Sequence, residues 1–343
     1  MEKMNKVLII FLVLLGFGIQ TLSAGNKSRT GTAGAQELLI PVGAAGIALG
    51  NANIATASGV DAIYWNPAGI ARSDRGSEVM ISHMQYFGDI ALNYGAVSID
   101  AGSFGRLAFS MKSLSFGDIP VTTESFPDGT GDSYSPTYVT LGVSYGKQLS
   151  DRISVGTTIN VVSENIMSTS ASGFVLNAGV QYHGLIIPEL KLGIAVKNVG
   201  PSMKYDGSNL MRTAAVSGAT RAAQLYKVDA AEFDLPSTIE MGLAYERKLD
   251  DMNAFSVMTN FQNNNYQADE YKFGAEYAYN NLIFVRGGYL SSPNADVNEY
   301  LYDYTFGFGV HYDLGSIDVN VDYAFRHLKY MDSNNVITVK LGF

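Results

Sequence analysis

The eight residues V-I-T-V-K-L-G-F, Val336 to Phe343, decide the fold. Successive side chains of a β-strand point to opposite faces of the sheet. One face of this strand would therefore carry only apolar side chains, namely Ile337, Val339, Leu341 and Phe343. Bacterial outer-membrane barrels commonly end in such a strand, and we interpret Val339, Leu341 and Phe343 as a signal for barrel assembly. The last strand of a soluble sandwich alternates in the same way, so the rest of the chain must decide between the two.

The same alternation continues through most of the sequence. From residue 77 onward, turn residues separate fourteen stretches in which apolar and polar residues alternate with a period of two. These stretches span 77–86, 89–99, 104–113, 136–149, 151–164, 171–183, 188–199, 236–248, 252–264, 269–280, 282–291, 300–313, 315–327 and 335–343. The pattern predicts an all-β protein in which residues 77–343 form a 14-stranded antiparallel transmembrane β-barrel, with apolar side chains facing lipid.

The connections between these strands differ in length. Long ones, at 113–135, 200–235 and 291–299, follow odd-numbered strands, whereas the shortest turns follow even-numbered strands. Outer-membrane barrels have short periplasmic turns and longer outer loops, so we expect the long loops on the cell surface. The Ala-rich stretch 211–223 in the second long loop is compatible with a short surface helix.

Residues 1–24 have the three parts of a secretory signal peptide. Lys3 and Lys6 precede an apolar run from Val7 to Ile19, which small residues follow up to Ala24. The run is shorter than the roughly 20 residues that a spanning helix needs. The chain is therefore expected to be exported by the Sec route and to reside in the outer membrane.

Residues 25–76 lack strand periodicity and are rich in Gly and Ala. We expect short helices that form a plug at the periplasmic mouth of the barrel, because so small a segment could bury little core of its own. Glycines recur on the polar faces of the strands, at Gly142, Gly193, Gly242, Gly274, Gly307, Gly309 and Gly342. They could leave room for this plug or bend the strands, and the sequence favours neither explanation.

Composition excludes several classes of function. The chain has no cysteine, and its formal charge of −9 argues against nucleic acid as a partner. Its four histidines lie on different predicted strands without the spacing of a metal site, and no local signature marks a nucleophilic serine. We therefore predict a non-enzymatic protein with no catalytic, cofactor or metal site.

Four ordered motifs carry a family resemblance. The first is the string from Gln36 to Ala44, and the second is W-N-P-A-G, comprising Trp65, Asn66, Pro67, Ala68 and Gly69. The third runs from Phe116 to Glu124 and the fourth from Asn198 to Tyr205. Together they resemble the PorV/PorQ family, which covers essentially the whole mature chain. Within the wider set of FadL-like barrels, the N-P-A-G element alone is less specific.

The resemblance implies a fourteen-stranded FadL-like barrel linked to type IX secretion. Such a protein would act as a docking or shuttle component that binds the translocon and the carboxy-terminal signal domains of cargo, and that serves surface attachment of the cargo. Its other partners would be outer-membrane lipid and the barrel assembly machinery. By this resemblance the W-N-P-A-G residues are structural, and the loop residues that would contact partners are Phe116, Gly117, Asp118, Thr122, Thr123, Glu124, Asn198, Gly200, Pro201 and Tyr205.

A FadL-like channel for hydrophobic small molecules is the alternative. In that case residues 25–76 would form a movable plug. Apolar side chains along a continuous lumen would favour a channel, whereas the Asp, Glu, Lys and Gly residues on the predicted inner faces count against it.

Overall fold

The computed structural model describes residues 29–215, 223–295 and 300–343. The predicted signal peptide, residues 1–24, lies outside this part of the chain. Among the described residues, no helix combines the length and the apolarity needed to span a membrane.

Fourteen antiparallel strands form a closed barrel. They are β1 (Ser77–Gln85), β2 (Ala91–Asp100), β3 (Arg106–Ser115), β4 (Thr137–Gln148), β5 (Ile153–Ile166), β6 (Thr169–His183), β7 (Leu190–Val199), β8 (Thr238–Lys248), β9 (Asn253–Asn264), β10 (Glu270–Tyr279), β11 (Ile283–Ser291), β12 (Tyr302–Asp313), β13 (Asp318–Leu328) and β14 (Asn334–Gly342). Each strand pairs with the next along the chain, and β14 pairs with β1, so the sheet has no open edge. The predicted 14-stranded antiparallel barrel is confirmed.

The terminal residues complete the β14–β1 ladder. The amide of Phe343 donates to the carbonyl of Ser77 at 2.9 Å, and the amide of Ser77 donates back to the carbonyl of Phe343 at 3.2 Å. Ile337, Val339 and Phe343 point outward and are exposed. Closure in this register satisfies backbone groups that lipid could not, which is why a membrane barrel cannot leave an edge unpaired.

Local sequence fixes several turns at one end of the barrel. Asn280 and Asn281 adopt φ angles of +53° and +49° between β10 and β11, a conformation that Asn tolerates better than most residues. Between β8 and β9 the carboxylate of Asp250 accepts hydrogen bonds from the amides of Met252, at 2.8 Å, and Asn253, at 2.7 Å. These short polar turns define what we call the short-turn end.

The opposite end, the long-loop end, carries the long connections 116–136, 200–237 and 292–301, and residues 296–299 of the last lie outside the described part of the chain. It also has tight connections, at 86–90 and 167–168, so loop length is sorted less strictly than in the prediction. Following the general rule for outer-membrane barrels, we take the long-loop end as the outer side.

The expected surface helix at 211–223 is wrong for its first residues. Met211–Ala214 form a strand that pairs with a second strand, Gln224–Lys227, and residues 216–222 lie outside the described part of the chain. The helical propensity of alanine is weak, and pairing with the β-forming residues Leu225 and Tyr226 overrides it. We call this pair of strands the loop hairpin.

The amino-terminal segment 29–76 runs through the lumen as a plug. Its short helices are Gln36–Leu39, α1 (Ala44–Ala48), Asn53–Ala55, Gly59–Asp61, α2 (Ala62–Trp65) and Pro67–Arg72. At the long-loop end Gly34 donates to the carbonyl of Asp234 at 3.0 Å, and at the short-turn end Arg75 pairs with Asp313 at 3.0 Å. The plug therefore extends along the length of the barrel and is not restricted to the periplasmic mouth.

Inward-facing glycines of the wall provide the space for this plug. A Cβ atom added at Gly193 would lie 2.5 Å from the carbonyl oxygen of Ile54, and one at Gly274 would lie 2.5 Å from that of Leu49. Both separations are far inside van der Waals contact, so any side chain there would displace the plug. Gly242 and Gly307 also adjoin the plug, whereas Gly142, Gly309 and Gly342 adjoin polar or charged side chains.

One side of the lumen is apolar, unlike the polar inner face that the later strands predict. Inward residues of β1, β2 and β14 bury apolar side chains against Ile47, Ile63 and Trp65 of the plug. These wall residues are Met80, Met84, Leu92, Tyr94 and Val336. The plug therefore has a hydrophobic core of its own, shared with the wall.

We expect Phe343→Ala to lower the amount of folded barrel in the outer membrane, because the change removes the outward aromatic group from the strand that closes the sheet. The heat-modifiable band on an unboiled gel of outer-membrane fractions measures this amount. Tyr312→Ala is the control, since Tyr312 is also an exposed outward aromatic residue near the short-turn end. Normal levels of the Phe343→Ala protein would contradict the assembly role.

Candidate functional site

Asn66 anchors the plug to the wall. Its side-chain oxygen caps the helix Pro67–Arg72 by accepting from the amide of Ala68 at 3.1 Å. Its side-chain nitrogen donates to the carbonyl of Ile54 in the plug at 3.0 Å and to that of Val180 in β6 at 3.1 Å. Proline at the first helical position needs no amide partner, so N-P begins this helix with few unsatisfied groups. The W-N-P-A-G motif thus forms a buried joint between the plug and the wall.

Side chains of the wall form further hydrogen bonds with the plug backbone. Gln181 of β6 donates to the carbonyls of Ile54 and Ala57 at 3.1 and 2.9 Å. Lys112 of β3 donates to the carbonyls of Glu37 and Ile40 at 2.5 and 2.7 Å. Thr305 and Arg106 likewise donate to the carbonyls of Ala48 and Arg75. Glu78 and Thr338 instead accept from the amides of Val60 and Ala44. The plug is therefore fixed from several sides of the barrel.

Ion pairs add to this attachment. Lys340 of β14 lies 2.5 Å from the carboxylate of Asp61 in the plug and 3.5 Å from that of Asp322 in β13. Asp322 also pairs with Arg286 at 2.6 Å. A buried charge is stable only where it is paired, so removal of one member would leave its partners uncompensated.

A cleft opens above the plug at the long-loop end. Its volume is about 560 Å³, and it lies between residues 31–40 of the plug and the rim of the barrel. The ring of Phe116 packs against Tyr138 at a centroid distance of 4.8 Å, and that of Tyr205 packs against Phe233 at 5.6 Å. Tyr86 and Phe87 complete the aromatic lining. We call this the mouth cleft; it suits an apolar or aromatic group.

Two carboxyl groups form the floor of the mouth cleft. Glu37 and Glu164 are both almost fully buried, and the hydroxyl of Tyr205 donates to Glu164. Burial and the neighbouring Glu164 carboxylate raise the pKa of Glu37 to about 7, although Lys112 opposes the shift. Burial, together with the hydrogen bond to Glu164, also raises the pKa of Tyr205. Glu37 is therefore only partly ionised near neutral pH.

The predicted loop residues lie in different places. Phe116 and Tyr205, from separate motifs, line the same cleft. The carboxylate of Asp118 accepts from the hydroxyl of Ser135, and Gly117 has a φ of +72°. Thr122, Thr123, Glu124 and Pro201 are exposed on the loops. Their role in partner contact stays a prediction.

Asn198 lies in the wall near the end of β7, and Gly200 is the first residue of the long connection that follows it. Asn198 is buried with a φ of +59°, and its amide donates to the side chain of Asn177 at 2.7 Å. This geometry coincides with a register shift in the β6–β7 pairing. Gly200 lies against the carbonyl of Phe174, where a side chain would not fit.

Four residues that are not among the predicted site residues also line the mouth cleft: Glu37, Tyr138, Glu164 and Phe233. Glu37 lies in the first family motif and could have been chosen there. Glu164 is an acidic residue near the outer end of β5, and the period of two predicts that its side chain faces inward. Nothing in the sequence connects Tyr138 with Phe233, because only the closed barrel brings them together.

The closed barrel with an amino-terminal plug defines an outer-membrane protein of FadL-like design. Similar solved structures include the Pseudomonas putida toluene transporter TodX, with 14% identity, a TM-score of 0.55 and coverage of 88% of this chain and 97% of that one. The Ralstonia pickettii toluene transporter TbuX has 15% identity, a TM-score of 0.52 and coverage of 88% of this chain and 98% of that one. A Pseudomonas aeruginosa FadL homologue has 11% identity, a TM-score of 0.52 and coverage of 89% of this chain and 98% of that one. At such identities the likeness concerns the fold alone.

The chain belongs to the PorV family. The family model described as "Type IX secretion system protein PorV" matches residues 23–221, which is more than half of the sequence. No curated protein sequence matches the chain significantly. The members of this family and the similar barrels are transport proteins of the outer membrane. The chain is therefore an outer-membrane protein.

We expect Asn66→Ala to loosen the plug while leaving the barrel closed. The change removes a helix cap and the amide bonds to Ile54 and Val180, so the plug should lose about 2 kcal/mol or more. Limited proteolysis of the purified barrel, followed by mass spectrometry of fragments from residues 25–76, measures the effect. Asn66→Asp keeps the cap but places a buried carboxylate oxygen against the carbonyls of Ile54 and Val180, so it should loosen the plug at least as much as Asn66→Ala does. Wild-type resistance in both variants would refute the anchoring role.

The titration of Glu37 should contribute stability to the plug at acidic pH that is lost at alkaline pH. The pKa of Glu37 rises from 4.5 in the unfolded chain to about 7 in the folded one, so the folded plug holds a proton that the unfolded chain releases between these values. This stabilisation is complete below the unfolded pKa and is lost as the pH rises through the folded pKa. Proteolysis of the plug at about pH 5 and about pH 8 tests this, with a pH-stable protease. Glu37→Gln should remove most of the difference.

Proposed function

We propose that this protein is a non-enzymatic docking component of type IX secretion, which binds the carboxy-terminal signal domain of cargo at its long-loop end. Family membership supports the link to type IX secretion. The observation that carries the docking site is the loop hairpin, Met211–Ala214 with Gln224–Lys227, in which all eight strand residues are exposed.

The loop hairpin has the features of a protein-binding element. Leu225 is 65% exposed, and Tyr226 and Val228 beside it are also exposed, although they lie on a loop and not on the lipid-facing wall. Apolar side chains exposed to water on a projecting element are characteristic of interaction sites. A two-stranded ribbon also offers free edges, to which a strand of a β-rich partner can be added.

The mouth cleft lies beneath the same loops and extends the proposed site. Its aromatic lining could receive an apolar side chain of the partner, as the central pocket of an interface does. The hydrogen bond from Tyr205 to Glu164 attaches the loop 200–237 to β5. The same bond therefore holds both the lining of the cleft and the start of the loop in place.

A channel for hydrophobic small molecules is the second candidate. The aromatic lining of the mouth cleft favours it, and the similar barrels TodX and TbuX are toluene transporters. The bonds that fix the plug to several wall strands count against it, since transport through the lumen would have to break them.

Leu225→Asp should weaken cargo binding at least about tenfold, because it places a charge in the exposed apolar patch of the hairpin. The measurement is capture of a purified cargo signal domain by the barrel in detergent, quantified by biolayer interferometry. Leu249→Asp is the matched control: Leu249 is 60% exposed in a turn at the short-turn end, so this variant should bind as the wild type does.

Two results would contradict the docking proposal. One is equal binding by the Leu225→Asp and Leu249→Asp proteins, and the other is absence of binding by the wild type. Uptake of toluene by proteoliposomes separates the candidates. Uptake that increases in Asn66→Ala, the variant with a loosened plug, would support the channel.

A further inference from the structure

A second cavity lies deeper than the mouth cleft, on the other side of the plug. Its volume is about 190 Å³, and it is lined by plug residues including Asn51 and Trp65 and by inward side chains of β7, β8, β10, β12 and β13. Exposed Gln36 and half-buried Gln267 form its upper edge, which connects it to the long-loop end. We call it the lumen cavity.

Arg326 of β13 faces the lumen cavity, and its charge has no ion-pair partner among the described residues. It is 2% exposed, and no carboxylate of the described residues lies within ion-pair distance of its guanidinium. The guanidinium lies 3.8 Å from the centre of the Tyr302 ring, and its Nε has no hydrogen-bond partner among the described residues. Two other wall arginines are buried among the described residues, and both have partners: Arg286 pairs with Glu276 and Asp322 at 2.6 Å, and Arg106 donates to the backbone carbonyls of Ser73 and Arg75.

An unpaired buried arginine needs compensation. Guanidinium stays charged at any pH at which proteins are folded, so it cannot lose its proton as a buried lysine can. Burial of an isolated charge is costly, and a ring face offsets only part of that cost. An anion beside Arg326 would compensate the positive charge of its guanidinium.

The other charges around the lumen cavity also favour an anion. Lys197 is matched by Glu240 at 3.0 Å, and Lys272 by Glu270 at 3.3 Å. With Arg326 the lining therefore has three cationic side chains against two carboxylates. The volume of the cavity is too small for a long alkyl chain, so the ligand is a small or terminal group.

We propose that the lumen cavity binds a carboxylate group, held by the guanidinium of Arg326. The planar fork of a guanidinium matches the two oxygens of a carboxylate, which gives two parallel charge-assisted hydrogen bonds. The carboxylate could belong to a free small acid or to a larger molecule that reaches in from the long-loop end. This site is separate from the loop hairpin, and it stands whether or not the hairpin binds cargo.

Trp65 provides the readout, since it is the only tryptophan in the sequence and it lines the lumen cavity. The full-length barrel, purified in detergent, is titrated with sodium acetate against sodium chloride at constant ionic strength while Trp65 fluorescence is recorded. A saturable change is expected for the wild type. N-acetylglycine provides the second arm: tighter binding than acetate indicates a carboxylate carried by a peptide-like molecule, and weaker binding indicates a free small acid.

Three variants connect this response to the proposed contact. Arg326→Gln should weaken acetate binding at least about tenfold, the loss expected for a charge-assisted bidentate pair. Glu270→Gln keeps Arg326 and removes a negative charge from the lining, so it should tighten binding several-fold. Arg75→Gln, at the short-turn end and outside the cavity, should bind as the wild type does. Heat modifiability of each variant confirms that the barrel is folded.

Three outcomes would overturn the proposal: no saturable response to acetate in the wild type, equal affinity in the wild type and a folded Arg326→Gln protein, or a Glu270→Gln protein that does not bind more tightly. The last outcome remains decisive if Arg326→Gln fails to fold.

Discussion

The rest of the structure depends on how the backbone of the plug finds its hydrogen-bond partners. The plug consists of helices of three to six residues, which leave most of their amides and carbonyls without partners inside the helix. Such groups are costly to bury, and the barrel removes the plug from bulk water. Asn66, Gln181, Lys112 and Thr305 supply the missing partners, each from a position where its side chain reaches plug backbone.

This requirement explains the composition of the inner wall. Polar side chains appear on the wall where plug backbone needs a donor or an acceptor, and glycines appear where the backbone itself comes close, as at Gly193 and Gly274. On the side of β1, β2 and β14 the wall is apolar, because there the plug presents Ile47, Ile63 and Trp65. A polar inner face therefore does not by itself indicate a water-filled channel. In this barrel much of it serves the plug.

Arg326 differs from the other buried cations of the lumen, because among the described residues it has neither a carboxylate nor a backbone carbonyl as partner, whereas Lys112 and Arg106 donate to carbonyls of the plug. Its neighbours Lys197 and Lys272 are matched by carboxylates, as are Arg286 and Lys340 elsewhere in the lumen. The plug separates this cationic pocket from the mouth cleft, whose floor carries the two carboxyl groups of Glu37 and Glu164. Two chemically opposite sites thus lie side by side below the outer loops, and either could be occupied without the other.

The sequence by itself determined the strands, their number, and which side chains face outward. These follow from a period of two, which depends only on backbone geometry and on the contrast between lipid and lumen. The direction of each side chain in β12 and β13 could therefore be predicted from the sequence. The loop at 211–214 was misjudged because alanine content is a weak guide to structure where strand pairing is available. Only the tertiary structure decided the course of the plug, the meeting of Phe116 with Tyr205 in one cleft, and the unpaired charge of Arg326. Each of these depends on residues far apart in the chain, and closure of the barrel is what brings them within contact distance.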